Sequence, residues 1–117
     1  MQHQPRKRYG QNFLRDEYII QSIAQAISPK EADHLVEIGP GEGALTESLL
    51  LSGCKLDAIE LDHDLNSRLL AAFSIYPLFT LHNADALKFN FGALASKQQP
   101  IRLVGNLPYN ISTPLII

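Results

Sequence analysis

The chain has 117 residues, enough for one domain at about 100–200 residues per domain. A 45% hydrophobic and 19% charged composition excludes a disordered polymer, and the single cysteine, Cys54, excludes an intramolecular disulfide framework and points to a reducing compartment. No apolar run approaches about 18 residues, and no apolar stretch of about 7–15 residues follows the basic start, so we expect a soluble, cytoplasmic protein with neither a membrane span nor a signal peptide.

Residues 1–15 carry Arg6, Lys7, Arg8 and Arg15 and no acid, a +4 arm ahead of a −6 body. Such an arm hints at a polyanionic partner, although four charges are a weak signal and on charge alone a solvated tail is the better explanation. Asp16 can cap a helix that places Ile19, Ile20, Ile23, Ala24 and Ile27 on one face, with Ser28-Pro29 as its end. Leu35 to Ile38 reads as a strand closed by Gly39-Pro40-Gly41-Glu42-Gly43. A helix follows over Ala44 to Ser52, with Gly53 as its stop. Leu56 to Leu61 is a second strand. Asp62 then caps a helix carrying Leu65, Leu69, Leu70 and Phe73. Leu78 to Leu81 and Ile101 to Val104 are the third and fourth strands, with a short helix expected over Ala93 to Lys97. Alternating strands and helices imply βαβ units and a parallel sheet. In such sheets ligands bind beyond the carboxyl ends of the strands. The unusual residues gather there: Gly39 to Gly43, Glu60, Asp85, and Asn106 to Tyr109.

Three glycines within five residues exceed what a tight strand-to-helix turn needs and point to a nucleotide-type ligand. Gly39-Pro40-Gly41-Glu42-Gly43-Ala44 satisfies the dinucleotide fingerprint, and Glu60 lies 21 positions on, where an acid can hold a ribose. An NAD-dependent oxidoreductase is therefore a competitor. Glu37 and Glu42, however, flank the loop with negative charge, which suits a cationic sulfonium ligand with a free amine, such as S-adenosyl-L-methionine, better than a pyrophosphate. Glu60 can accept from both ribose hydroxyls, and Asp85 from the adenine amine, unless it merely closes an Asx turn. Asp62 reads as a helix cap.

After the fourth strand comes Asn106-Leu107-Pro108-Tyr109. The Asn106 amide and the Leu107 or Pro108 carbonyl can accept the two hydrogens of an exocyclic amine, leaving the nitrogen lone pair aimed at a methyl donor. Tyr109 can stack on an extruded base. An Asx-Pro turn with a packed tyrosine is the structural alternative. Cys54 lies at the wrong end of the sheet for a nucleophile. His3, His34, His63 and His82 lack ligand-like spacing, so no metal is expected. No phosphate-binding P-loop motif is present.

Four segments resemble the KsgA/RsmA-type small-subunit ribosomal RNA adenine dimethyltransferases: Lys7 to Leu14 (KRYGQNFL), Val36 to Thr46 (VEIGPGEGALT), Ile59 to Asp62 (IELD) and Asn106 to Ser112 (NLPYNIS). The resemblance implies a class I S-adenosylmethionine-dependent methyltransferase fold, an α/β Rossmann-like parallel sheet. It also implies dimethylation at N6 of two adjacent adenosines in the 3′-terminal hairpin loop of small-subunit rRNA, within a pre-ribosomal particle. It maps cofactor contacts onto Asn12, Leu14, Gly39, Gly41, Glu60, Asp85 and Asn106, and the catalytic loop onto Asn106, Leu107, Pro108 and Tyr109. Arg6, Lys7 and Arg8 become RNA contacts. Large-subunit rRNA methyltransferases share a similar catalytic loop, and Gly10 and Leu107 favour the small-subunit family.

The family runs to more than twice this length. We therefore expect a basic arm over residues 1–15 and a partial domain over 16–117, truncated after about the fourth strand, with the next helix due at Thr113. The same view predicts an open fourth-strand edge prone to self-association, and weak or absent methyl transfer. A non-catalytic RNA-binding or assembly module is the remaining alternative.

Overall fold

The computed structural model describes residues 16–95, 99–105 and 113–116. Helix α1 spans Glu17–Ile27 and starts where expected: the Asp16 carboxylate accepts from the backbone N–H groups of Tyr18 and Ile19, satisfying two otherwise orphan donors. Ser28 ends it in the left-handed region (φ 49°), its N–H returning to the Ala24 carbonyl. Arg102 donates to the Ile27 carbonyl at 2.6 Å and to Asp33 at 3.0 Å, which ties the end of α1 to the sheet.

Strand β1 is His34–Ile38, helix α2 Ala44–Leu50, strand β2 Lys55–Ile59, helix α3 His63–Phe73 and strand β3 Phe79–His82. A single 3₁₀ turn, Phe91–Ala93, precedes β4, Ile101–Gly105, and β5, Thr113–Ile116. Among the described residues the sheet order is β3-β2-β1-β4-β5. Strands β1 to β4 are parallel, as the alternation of elements requires. The chain moves outward in one direction from β1 to β2 and β3, then returns to place β4 on the other side of β1. The switch point therefore lies at the carboxyl ends of β1 and β4.

Helices α1, α2 and α3 share one face of the sheet. Ile23, Ile27, Leu45, Leu49 and Leu69 pack there against Leu35, Leu56 and Val104. Each such fully buried side chain contributes roughly 1.5–3 kcal/mol. The opposite face buries Val36, Ile59, Ile101 and Leu103 beneath Phe89, Phe91 and Leu94.

Several expected boundaries move. Helix α2 stops at Leu50, and Gly53 (φ 84°) closes the following turn with its N–H on the Leu50 carbonyl. Strand β2 ends at Ile59, so Glu60 and Leu61 lie beyond it. The expected helix over Ala93 to Lys97 is replaced by the 3₁₀ turn, and residues 96–98 lie outside the described residues. The largest correction concerns Thr113. No helix starts there; Thr113–Ile116 pairs antiparallel with β4, Pro114 opposite Val104. Proline disfavours the α conformation in the residue before it, whereas β4 offers a row of backbone partners. The fourth strand is thus no open edge, and the self-association expected through it loses its basis.

Candidate functional site

The site forms around the glycine loop at the switch point. Gly39, Gly41 and Gly43 all have positive φ, at 69°, 62° and 92°. Two of them serve different ends. A Cβ on Gly43 would lie 2.6 Å from the Phe73 ring, so this glycine is required for the close approach of the loop to α3. A Cβ on Gly41 would meet nothing within 4 Å, so the space above that backbone is open to a ligand.

Glu37, the penultimate residue of β1, is fully buried beside this loop. Thr46, in the first turn of α2, donates its hydroxyl to Glu37 Oε1 at 2.6 Å, bridging strand and helix across the loop. Glu37 Oε2 has no hydrogen-bond partner among the described residues. Burial pushes this carboxyl up to about 7; the Thr46 bond opposes the rise and the nearby charge of Glu60 adds to it.

Glu60 follows β2 and joins the two loops around it. Its Oε1 accepts weakly from the Gly41 N–H at 3.4 Å and its Oε2 from the Asp62 N–H at 3.1 Å. Its backbone is held equally firmly: its N–H donates to the His82 carbonyl, and its carbonyl accepts from Asn66, Asn83 and Ala84. Asp62 is the helix cap expected, accepting from the N–H groups of Asp64 and Leu65. Asp85 closes an Asx turn with the Leu87 N–H at 2.9 Å, the structural role weighed for it. That turn also stands it at the carboxyl end of β3, beside the Glu60 segment.

The fold thus brings Gly39, Gly41, Glu60 and Asp85 to one end of the sheet. Arg6, Lys7, Arg8, Asn12, Leu14, Asn106, Leu107, Pro108 and Tyr109 lie outside the described residues. Cys54 sits at the amino end of β2, buried, its thiol against the Leu49 carbonyl at 3.4 Å and pushed up by burial, remote from the strand carboxyl ends.

Two features escaped the sequence. The Glu37–Thr46 bond spans nine residues and depends on the loop's exact path. The histidines are not all scattered: Asp57 Oδ1 contacts His34 Nε2 at 2.7 Å and Asp57 Oδ2 contacts His82 Nε2 at 2.7 Å. Separations of 23 and 25 residues carry no local signal; only the register of three parallel strands joins these groups. No group of three or more His, Cys, Asp or Glu suited to a metal ion occurs among the described residues, nor any helix long and apolar enough to cross a membrane.

Comparison with known proteins matches this architecture. The model of the ribosomal RNA adenine dimethylase family covers residues 2–117. The small-subunit rRNA methyltransferase A of Saccharophagus degradans is 58% identical over 114 residues, 97% of this chain and 42% of that protein. Its counterpart in Hahella chejuensis is 59% identical, over the same shares. The chain thus spans about two fifths of the length of these relatives. Among solved structures, the 23S rRNA methyltransferase ErmE superposes with a TM-score of 0.59 at 23% identity, covering 80% of this chain and 48% of that one. A dimethyladenosine transferase from Plasmodium falciparum does so with 0.57 at 22% identity, covering 77% and 42%. At these identities the likeness is one of fold, that of class I methyltransferases. The glycine loop, the acids after β2 and β3, and a family match over nearly every residue lead to one assignment: the chain belongs to the ribosomal RNA adenine dimethylase family.

Proposed function

We propose that this chain provides the cofactor-binding part of an rRNA adenine N6-dimethyltransferase. Its cofactor is S-adenosyl-L-methionine, and its target is two adjacent adenosines in the 3′-terminal hairpin loop of small-subunit rRNA. One observation carries the choice of cofactor. Glu37 is a fully buried carboxyl group at the glycine loop, with one oxygen on Thr46 and the other unpartnered among the described residues. A pyrophosphate at this loop would meet Glu37, Glu42 and Glu60. A ligand with an ammonium and a sulfonium brings positive charge to this acidic loop, where the second Glu37 oxygen has no partner among the described residues, so the donor set fits S-adenosylmethionine and disfavours a dinucleotide.

The cofactor, when bound, supplies an electrophilic methyl group. The chain's residues bind and orient. The open space over Gly41 admits a ligand to the main chain. Glu60 accepts from the ribose hydroxyls, Asp85 from the adenine amine, and Asn12 and Leu14 complete the cofactor contacts. Asn106, with the carbonyl of Leu107 or Pro108, accepts from the target amine and holds its lone pair out of the ring, while Tyr109 stacks on the base. No strong base is required before attack, so catalysis is positioning and electrostatics. Residues 1–15 act as an arm whose Arg6, Lys7 and Arg8 contact rRNA phosphates. Residues 16–117 carry the cofactor half of the methyltransferase domain. A pre-ribosomal substrate places the work in the cytoplasm.

Calorimetric titration of the chain with S-adenosylhomocysteine and, separately, with NAD tests the proposal. Heat of binding with the first alone supports it. Binding of NAD alone, or of neither, overturns it.

A further inference from the structure

The site as proposed leaves one cluster of buried polar groups without a task. On the sheet face opposite the three helices, Asp57 of β2 stands between His34 of β1 and His82 of β3. Asp57 is paired in register with Val36 and Thr80, so His34 lies two residues before that level and His82 two residues beyond it. The three side chains run diagonally from the amino end of β1 to the carboxyl end of β3. Their relative exposures are 2%, 5% and 26%, rising toward the ligand-binding edge. An ionised carboxylate only accepts, so both rings must donate through Nε2–H. That fixes the tautomer and the ring plane of each histidine.

His82 is where this chain of bonds meets the cofactor site. Its carbonyl accepts the Glu60 N–H at 2.9 Å. Its ring packs edge-on against Phe89, with centroids 5.0 Å apart. Phe89 closes the turn that Asp85 opens, its N–H on the Ala86 carbonyl at 3.4 Å, while Asp85 holds the Leu87 and Lys88 N–H groups. One residue therefore touches the supports of both acids assigned to the adenosine. Apolar side chains would fill this face at lower desolvation cost, so three polar groups here imply a demand for a defined arrangement.

We propose that His34, Asp57 and His82 form a positioning network that sets Glu60 and Asp85 at the spacing required by the adenosine part of the cofactor. The inference rests on the cofactor assignment above and deepens it. His34 and Asp57 orient the His82 ring, and His82 transmits that orientation through its carbonyl to Glu60 and through Phe89 to the Asp85 turn.

The test uses two probes, S-adenosylhomocysteine and 5′-methylthioadenosine, which share the adenosine and differ in the amino-acid end. His82→Phe keeps an aromatic ring beside Phe89 and removes the donor to Asp57. Both ligands should then bind about tenfold more weakly, and His82→Gln, whose amide can still donate, should recover much of the loss. Glu37→Gln should instead weaken S-adenosylhomocysteine alone. Unchanged affinity of His82→Phe for both probes, with the unsubstituted chain binding normally, overturns the network and leaves the cofactor assignment standing. Failure of the unsubstituted chain to bind either probe overturns both. A measurement on the unsubstituted chain does not depend on the variants folding: histidine ring ¹⁵N spectra should show His34 and His82 protonated at Nε2, with both ring signals moving when S-adenosylhomocysteine is added. Ring signals that stay fixed while the ligand binds refute the coupling.

Discussion

Replacing Glu37 with glutamine isolates the buried carboxyl on which the cofactor assignment turns. Burial raises this group from its ordinary 4.5 to about 7. At roughly 1.4 kcal/mol per pH unit, the folded protein holds this proton about 3 kcal/mol more tightly than the unfolded chain does. Between pH 4.5 and 7 the folded state keeps the proton while the unfolded state has lost it. Stability therefore falls as pH rises through that window, and the full penalty is present above about 7. Glutamine does not titrate, and its carbonyl can still accept from Thr46. Urea unfolding of both proteins at pH 5 and pH 8 gives the comparison. The unsubstituted chain should lose roughly 2–3 kcal/mol more than Glu37→Gln between the two conditions. Equal pH dependence would refute the claim that Glu37 is buried as an acid, whatever the absolute stabilities.

The same ionisation should govern ligand affinity. The ligand's ammonium needs the carboxylate, so S-adenosylhomocysteine should bind more tightly as pH rises toward 7, by up to about tenfold per unit, and pH-independent calorimetry would contradict this. Gly43→Ala should cost about 2–4 kcal/mol in urea unfolding, because its Cβ would lie 2.6 Å from Phe73 at a φ of 92°. Gly41→Ala, with open space at its Cβ, should cost only about 1 kcal/mol in stability and show its effect in ligand binding. Asp62→Ala removes the cap on the Asp64 and Leu65 N–H groups and should lower stability by about 1 kcal/mol without changing the fold seen by circular dichroism.

Much of this was legible in the residues because it is local. Asp16 and Asp62 cap the helices they precede, Gly53 takes the left-handed turn after α2, and strand–helix alternation foretells the parallel sheet. The convergence of Gly39, Gly41, Glu60 and Asp85 follows from topology, since parallel strands all end at one edge. What depends on register was not legible. His34, Asp57 and His82 meet only because three strands align at particular offsets. The same holds for Thr113–Ile116, whose pairing with β4 replaced an expected helix through a long-range backbone ladder. Glu37 was noticed for its charge, whereas its burial and its bond to Thr46 required the path of the glycine loop.

The most direct test of the account is a nitrogen–proton correlation spectrum of this chain during titration with S-adenosylhomocysteine. S-adenosylmethionine-type binding at the glycine loop predicts dispersed signals, with shifts at Gly39, Gly41, Glu60 and Asp85 that saturate together and do not appear with NAD. Dispersed signals that ignore S-adenosylhomocysteine, or that respond at these residues to NAD alone, would contradict it.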